Sequence, residues 1–176
     1  MKRLLLLRHA KSGRDDPKLD DHQRPLNARG RADAPRIGAY MRKKKYLPQL
    51  ILCSTALRTV ETLELVRENW DIEPRTEFLD SLYLAKADAI AALVRKTSSP
   101  VNVLLLVGHN PGLEDCAAAL TGQGETPAEC ETQDLMEEKF PTAALAVIDF
   151  DLARWSDIAD GAGRLTNFVR PKDLDD

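Results

Sequence analysis

Two arginines and two histidines of this 176-residue chain stand where apolar runs end. Arg8-His9 follows the leucines at 4–7, Arg58 comes shortly after Leu50-Ile51-Leu52-Cys53, and His109 follows the apolar run 101–107. Arginine offers forked donors matched to phosphate oxygens. Histidine titrates near neutrality and serves as nucleophile, donor or general acid/base. One such histidine is more often a packed or surface side chain. Four cationic or titratable groups after three apolar runs are a different matter. Brought together, they make a site for a dianion, and phosphate is the obvious one.

The elements that must position them are short and wholly apolar. Such runs suit strands buried on both faces, as in the centre of a parallel sheet. In open parallel α/β sheets the carboxyl ends of the strands converge on one edge, where ligands bind. The expected fold is therefore α/β: a three-layer α/β/α sandwich with a mostly parallel central sheet. Further strands are expected at 77–79 (an edge strand), 143–149 and 165–169.

Helices are expected between the strands. Asn27 is a good cap for a first turn that Gly30 limits, and Asp33 caps a second start with Pro35 in its first turn. The basic run 42–45 closes that helix, where its charges suit the macrodipole. Leu57, Val60, Leu63, Val66 and Trp70 recur at helical spacing and mark the face that packs on the sheet. Helices are also expected at 88–97 and 113–120. The polar segment 13–23 reads as an exposed loop, the acidic segment 123–139 as a mobile surface loop with a short helix, and the tail 173–176 as frayed.

Composition sets the class. With 43% hydrophobic and 30% charged residues the chain reads as a soluble globular protein, and its length favours one domain, 1–176. Twenty-five basic residues against 28 acidic give a net charge of −3, which argues against a general nucleic-acid or membrane binder. Cys53, Cys116 and Cys130 lack metal-ligand spacing and suit reduced thiols of a cytoplasmic protein. A monomer is expected.

Taken in order, the motifs resemble those of the histidine phosphatase (phosphoglycerate mutase-like) superfamily. Leu-Arg-His-Ala-Lys-Ser at 7–12 is similar to its Arg-His-Gly signature, and 54–59 and 107–111 match its second and third motifs. The Ala10 version, Arg24-Pro25-Leu26, Phe140-Pro141-Thr142-Ala143 and Phe168-Val169-Arg170-Pro171 resemble its SixA-type phosphohistidine phosphatase branch. The resemblance implies that His9 is the nucleophile, transiently phosphorylated, with Arg8, Arg58 and His109 clamping the phosphoryl oxygens. Arg24 would be an additional phosphate-side arginine, and no metal or cofactor is implied. Asn110 is a candidate for holding either the loop or the substrate. His22, in a polar loop, reads as a surface residue.

One departure bears on the substrate. Mutases and acid phosphatases of the superfamily place an acidic general acid where this chain has Ser81, one position from Asp80, or just after the second histidine, where it has Asn110. The acid is unassigned, with Asp80 a candidate and Asp21 another. Phosphohistidine releases an imidazole, whose conjugate acid has a pKa of about 6.5, so it needs less protonation than an alkoxide. The interval 59–108 is also filled by expected elements, leaving no room for a large lid. Both features favour phosphohistidine on a signalling or phosphotransfer protein. The alternatives are a phosphomonoesterase or mutase acting on a small metabolite, and a phosphate-binding module without turnover.

Overall fold

The computed structural model describes residues 1–174. Six strands form one sheet: β1 (Lys2–Arg8), β2 (Leu50–Ser54), β3 (Arg75–Leu79), β4 (Val103–Gly108), β5 (Leu145–Phe150) and β6 (Arg164–Val169). Their spatial order is β3-β2-β4-β1-β5-β6. The pairs β3–β2, β2–β4 and β4–β1 are parallel, whereas β5 runs antiparallel to both β1 and β6. The sheet is thus mixed and mostly parallel, with β3 at one edge as expected.

The leucines of β1 show why a wholly apolar strand belongs at the centre. Side chains alternate across a sheet. Leu4 and Leu6 enter one core with Leu104, Leu106, Ala146 and Ile148, while Leu5 and Leu7 enter the other with Leu105, Val107, Leu145 and Val147. The second core is closed by α1 (Ala28–Lys43) and α2 (Leu57–Val66). The first is closed by α3 (Ala87–Arg95), α4 (Gly112–Leu120) and α5 (Pro127–Glu138). These are the three layers anticipated.

Four local expectations are corrected. Residues 28–43 form one helix, not two starts: Asn27 caps it by accepting from the Gly30 amide at 3.0 Å, and Asp33 and Pro35 lie inside it. Gly30 is no stop there. It lets the helix lie against the chain just past His9, where a Cβ would come within 2.2 Å of the Lys11 carbonyl oxygen. In α2 the buried face is Arg58, Thr59, Thr62, Leu63 and Val66, with Leu57 and Val60 only half-buried and Trp70 beyond the helix. That face is rotated because Thr59 and Thr62 make buried hydrogen bonds to backbone carbonyls.

The acidic segment carries a helix of 12 residues, with a Thr126–Glu129 capping box and Met136 buried. Its acidic side chains form most of the solvent face, which is why composition read as a loop with only a short helix. In the tail, Asp173 is tied to Arg170 by a bidentate ion pair and the Leu174 carbonyl accepts from Arg36. Asp175 and Asp176 lie outside the described residues. Among the described residues no helix is long and apolar enough to cross a membrane.

Candidate active site

Register brings the functional residues to one level. Arg8 pairs with Gly108 across β1 and β4, and Cys53 pairs with Val107 across β2 and β4. One step further along each strand stand His9, Ser54 and His109. The His9 amide donates to the Gly108 carbonyl at 3.1 Å, and the Ala143 amide donates to the carbonyls of Arg8 and His9. Helix α2 then fixes the next peptide: the Ala10 amide donates to Thr62 Oγ1 at 2.9 Å, and that hydroxyl donates to the Arg58 carbonyl at 2.6 Å.

The strand ends open into a cleft of about 590 Å³. Arg8, His9, Arg24, Arg58, His109 and Asn110 all line it, as do Asp21 and Thr142. The His9 and His109 rings lie 5.4 Å apart, and Tyr83 meets the His109 ring edge-on at 5.6 Å.

His9 Nδ1 lies 2.7 Å from the Ala10 carbonyl oxygen. A carbonyl only accepts, so Nδ1 carries the proton. Burial, the strongest influence, acts with the charges of Arg58, Arg8 and Arg24 to push His9 down to about 3, against the opposing pull of the Ala10 bond. The ring is therefore neutral, with the lone pair on Nε2. Burial, then Arg58 and His9, likewise push His109 down to about 3. His109 Nε2 lies 2.7 Å from Ser54 Oγ, and that hydroxyl already accepts from the Ala56 amide at 3.3 Å. His109 Nδ1 is buried and has no partner, and the same is true of Arg8 Nε and Arg58 Nε.

Asp21 and Asp80 separate clearly. Asp80 accepts from Thr55 Oγ1 at 2.6 Å and does not line the cleft. Asp21 lies within it, on a single 3₁₀ turn (Asp21–Gln23). Arg58 donates to its carbonyl oxygen at 2.7 Å and to its carboxylate at 3.0 Å, Arg24 donates to the carboxylate at 2.9 Å, and Tyr83 donates to it as well. Desolvation would raise this carboxyl, but the bonds from Tyr83 and Arg24 and the charge of Arg58 outweigh it and hold Asp21 below the usual carboxylate range. Such a group accepts hydrogen bonds and has no proton to give near neutrality.

The remaining placements follow from loop packing. Arg24 also donates to Ser12 Oγ at 2.8 Å, across a base closed by pairing of Ser12 with Leu26. Asn110 Nδ2 donates to the Phe140 carbonyl at 2.9 Å, which shares that oxygen with Arg8 Nη1. Asn110 thereby fastens the strand-end loop to the start of the β5 segment, while its Oδ1 stays buried and unpaired. His22 packs edge-on against Tyr83 and contacts Thr55 outside the cleft lining. Sequence reasoning missed Ser54, Tyr83 and Asp21 as one linked set, and missed residues 11–15 as a wall of the cleft. No periodicity marks any of them.

Comparison with known proteins agrees with this geometry. The Histidine phosphatase superfamily (branch 1) profile matches residues 4–79. An uncharacterised protein of Mycobacterium tuberculosis (strain H37Rv) is 31% identical over 166 residues, 94% of this chain and 100% of the relative. An uncharacterised chloroplastic protein of Arabidopsis thaliana is 40% identical over 130 residues, 69% of this chain, and this chain spans 60% of its length. The crystal structure of a provisionally assigned phosphohistidine phosphatase SixA from Agrobacterium tumefaciens superposes with a TM-score of 0.77 at 30% identity, covering 97% of this chain and 98% of that one. Fold, motif order and cleft thus coincide, and the chain belongs to the histidine phosphatase superfamily as a SixA-type phosphatase.

Proposed function

We propose that this phosphatase removes phosphate from phosphohistidine on a signalling or phosphotransfer protein, with His9 as nucleophile. The observation that carries the choice of substrate is Asp21. The carboxylate among the site arginines is held ionised by Arg24, Arg58 and Tyr83, and Asp80 faces Thr55 instead. A leaving imidazole tolerates that arrangement, whereas an alkoxide calls for a proton donor. The stretch between Arg58 and His109 holds α2, β3, α3, β4 and short turns with no inserted domain. Such a cleft suits a side chain presented by another protein.

In this reading Arg8, Arg58, Arg24 and His109 bind the phosphoryl oxygens, and fixed charge supplies most of the stabilisation. His9 Nε2 bonds to phosphorus as the N–P bond of the substrate breaks. A substrate ring protonated on its other nitrogen departs as neutral imidazole, and the positive charge passes to the His9 ring. The Ala10 carbonyl, already accepting from Nδ1–H, stabilises that charge. Water then adds to phosphorus, the bond to Nε2 breaks, and dihydrogen phosphate leaves with a neutral His9 restored. The proposal includes a monomer acting in the cytoplasm, where Cys53, Cys116 and Cys130 persist as free thiols.

The test is a turnover comparison of the protein and its His9→Ala variant on a phosphohistidine carrier and on alkyl and aryl phosphate esters. We expect fast loss of phosphate from the carrier and an acid-labile, alkali-stable phosphoryl label on the protein, both absent in the variant. Esters turned over faster than the carrier would instead favour a metabolite phosphatase.

A further inference from the structure

The cleft carries more positive charge than one phosphoryl group needs. Its lining holds five cations, Arg8, Lys11, Arg14, Arg24 and Arg58, against two carboxylates, Asp15 and Asp21. The surplus of three lies in a protein whose net charge is −3. A phosphoryl group near neutrality brings about two negative charges, which leaves the cleft positive with substrate in place.

The five cations are not equivalent. Arg24 and Arg58 are held by Asp21, and Arg8 by the Phe140 carbonyl. The side chains of Lys11 and Arg14 are exposed and, among the described residues, make no hydrogen bond or ion pair. They nevertheless line the same cleft as His9, on the loop that follows it. The backbone of that loop is fixed: the Asn27 amide donates to the Lys11 carbonyl at 3.0 Å and the Gly13 amide donates to the Pro25 carbonyl at 3.0 Å. Lys11 on that fixed stretch and Arg14 just beyond it thus stand at the mouth of the phosphate clamp, with no anion among the described residues held by either.

We propose that Lys11 and Arg14 form a second anion-binding point at the cleft mouth, which reads an aspartate or glutamate lying beside the phosphohistidine of a protein substrate. This rests on the phosphohistidine reading above. The shared chemistry is a second negative group on the substrate, which a small phosphorylated molecule could also carry. Leu84 favours the protein. It lines the cleft 54% exposed with a left-handed backbone (φ 51°), an apolar side chain that a protein surface would cover and a small polar metabolite would not.

The experiment uses two phosphohistidine peptides identical except for a glutamate or a glutamine beside the phosphorylated residue, and a small phosphocarboxylate ester for comparison. For Lys11→Ala/Arg14→Ala, kcat/KM on the acidic peptide should fall about tenfold, mostly through KM, and on the neutral peptide by less than about threefold. Added salt should narrow that gap, because exposed charges are screened. Arg14→Glu should invert the preference, favouring a peptide with lysine in place of glutamate. That inversion cannot come from misfolding. Equal losses on both peptides would overturn the second anion point while leaving the phosphohistidine reading intact. A larger loss on the phosphocarboxylate ester than on the acidic peptide would reassign the point to a metabolite. If the unaltered protein turned over the ester and neither peptide, the phosphohistidine reading would fall, and this proposal with it.

Discussion

Arg58 grips Asp21 twice, through the carbonyl oxygen at 2.7 Å and the carboxylate at 3.0 Å. The fork of this arginine, in the first turn of α2, is therefore engaged by the chain's own anion. Asp21 orders Arg58 and Arg24 and competes with whatever they would bind.

Asp21→Asn keeps the shape and removes that competitor. Inorganic phosphate should inhibit this variant several-fold more strongly, while kcat drops by about threefold to tenfold as the two arginines lose their common anchor. Steady-state kinetics with phosphate as inhibitor would read both. An unchanged inhibition constant would mean that Asp21 does not compete at all.

Both site imidazoles are pushed down to about 3. His9 is therefore competent to attack throughout the neutral range, and no fall in kcat/KM should trace to its protonation between pH 7 and 5. Stability behaves otherwise. An unfolded histidine takes up a proton near pH 6.5, which the folded ones refuse until about 3. The unfolded chain binds more protons in that window, so stability is full above about pH 6.5 and declines as pH falls toward 3. Thermal melts across that range should show the decline, and His109→Ala should flatten it.

Ser54 holds the His109 ring in place through the 2.7 Å hydrogen bond between Oγ and Nε2. Ser54→Ala should lower kcat about tenfold with KM within about threefold, at a stability cost of about 1 kcal/mol. Rate constants and denaturant titration of the same preparation separate these effects.

Gly30 sits where α1 touches the loop after His9. Gly30→Ala places a carbon 2.2 Å from the Lys11 carbonyl oxygen, so either the helix or the loop must shift. A loss of about 2–3 kcal/mol in urea unfolding, together with reduced turnover, is expected. The substitution removes no group with any chemistry of its own.

Much of this arrangement was legible in the residues. The apolar runs that became β1, β2 and β4 place Arg8, His9, Arg58 and His109 at one edge, because the carboxyl ends of parallel strands converge whatever follows them. Periodicity failed where polar groups are buried for the site's sake. Thr59 and Thr62 turn α2 away from its apolar stripe, since they hold Ser54, Ala10 and Arg58 in place. Gly30 and Pro35 look like breaks, yet the Asn27 cap and close packing carry one helix through both. The choice between Asp21 and Asp80 depended on how a polar loop from 13 to 27 folds back over α2. Only its closure at Ser12 and Leu26 decides that, and such a loop has no pattern to read.

The position of β4 has a consequence for partial chains. In space it lies between β1 and β2, although in sequence it follows both. Residues 4–79, which carry the family's signature, supply β1, β2 and β3 but leave a gap in the sheet where β4 belongs. A product truncated after Leu79 would still be recognisable as a relative from its sequence, yet β1 would lose both its neighbours, β2 would lose one, and His109 would be absent. Closing that gap joins segments about 50 and 100 residues apart, and long-range pairing of this kind is slow to form. Activity in this protein is therefore a report on completed folding: there is no working fragment from which a smaller enzyme could be cut.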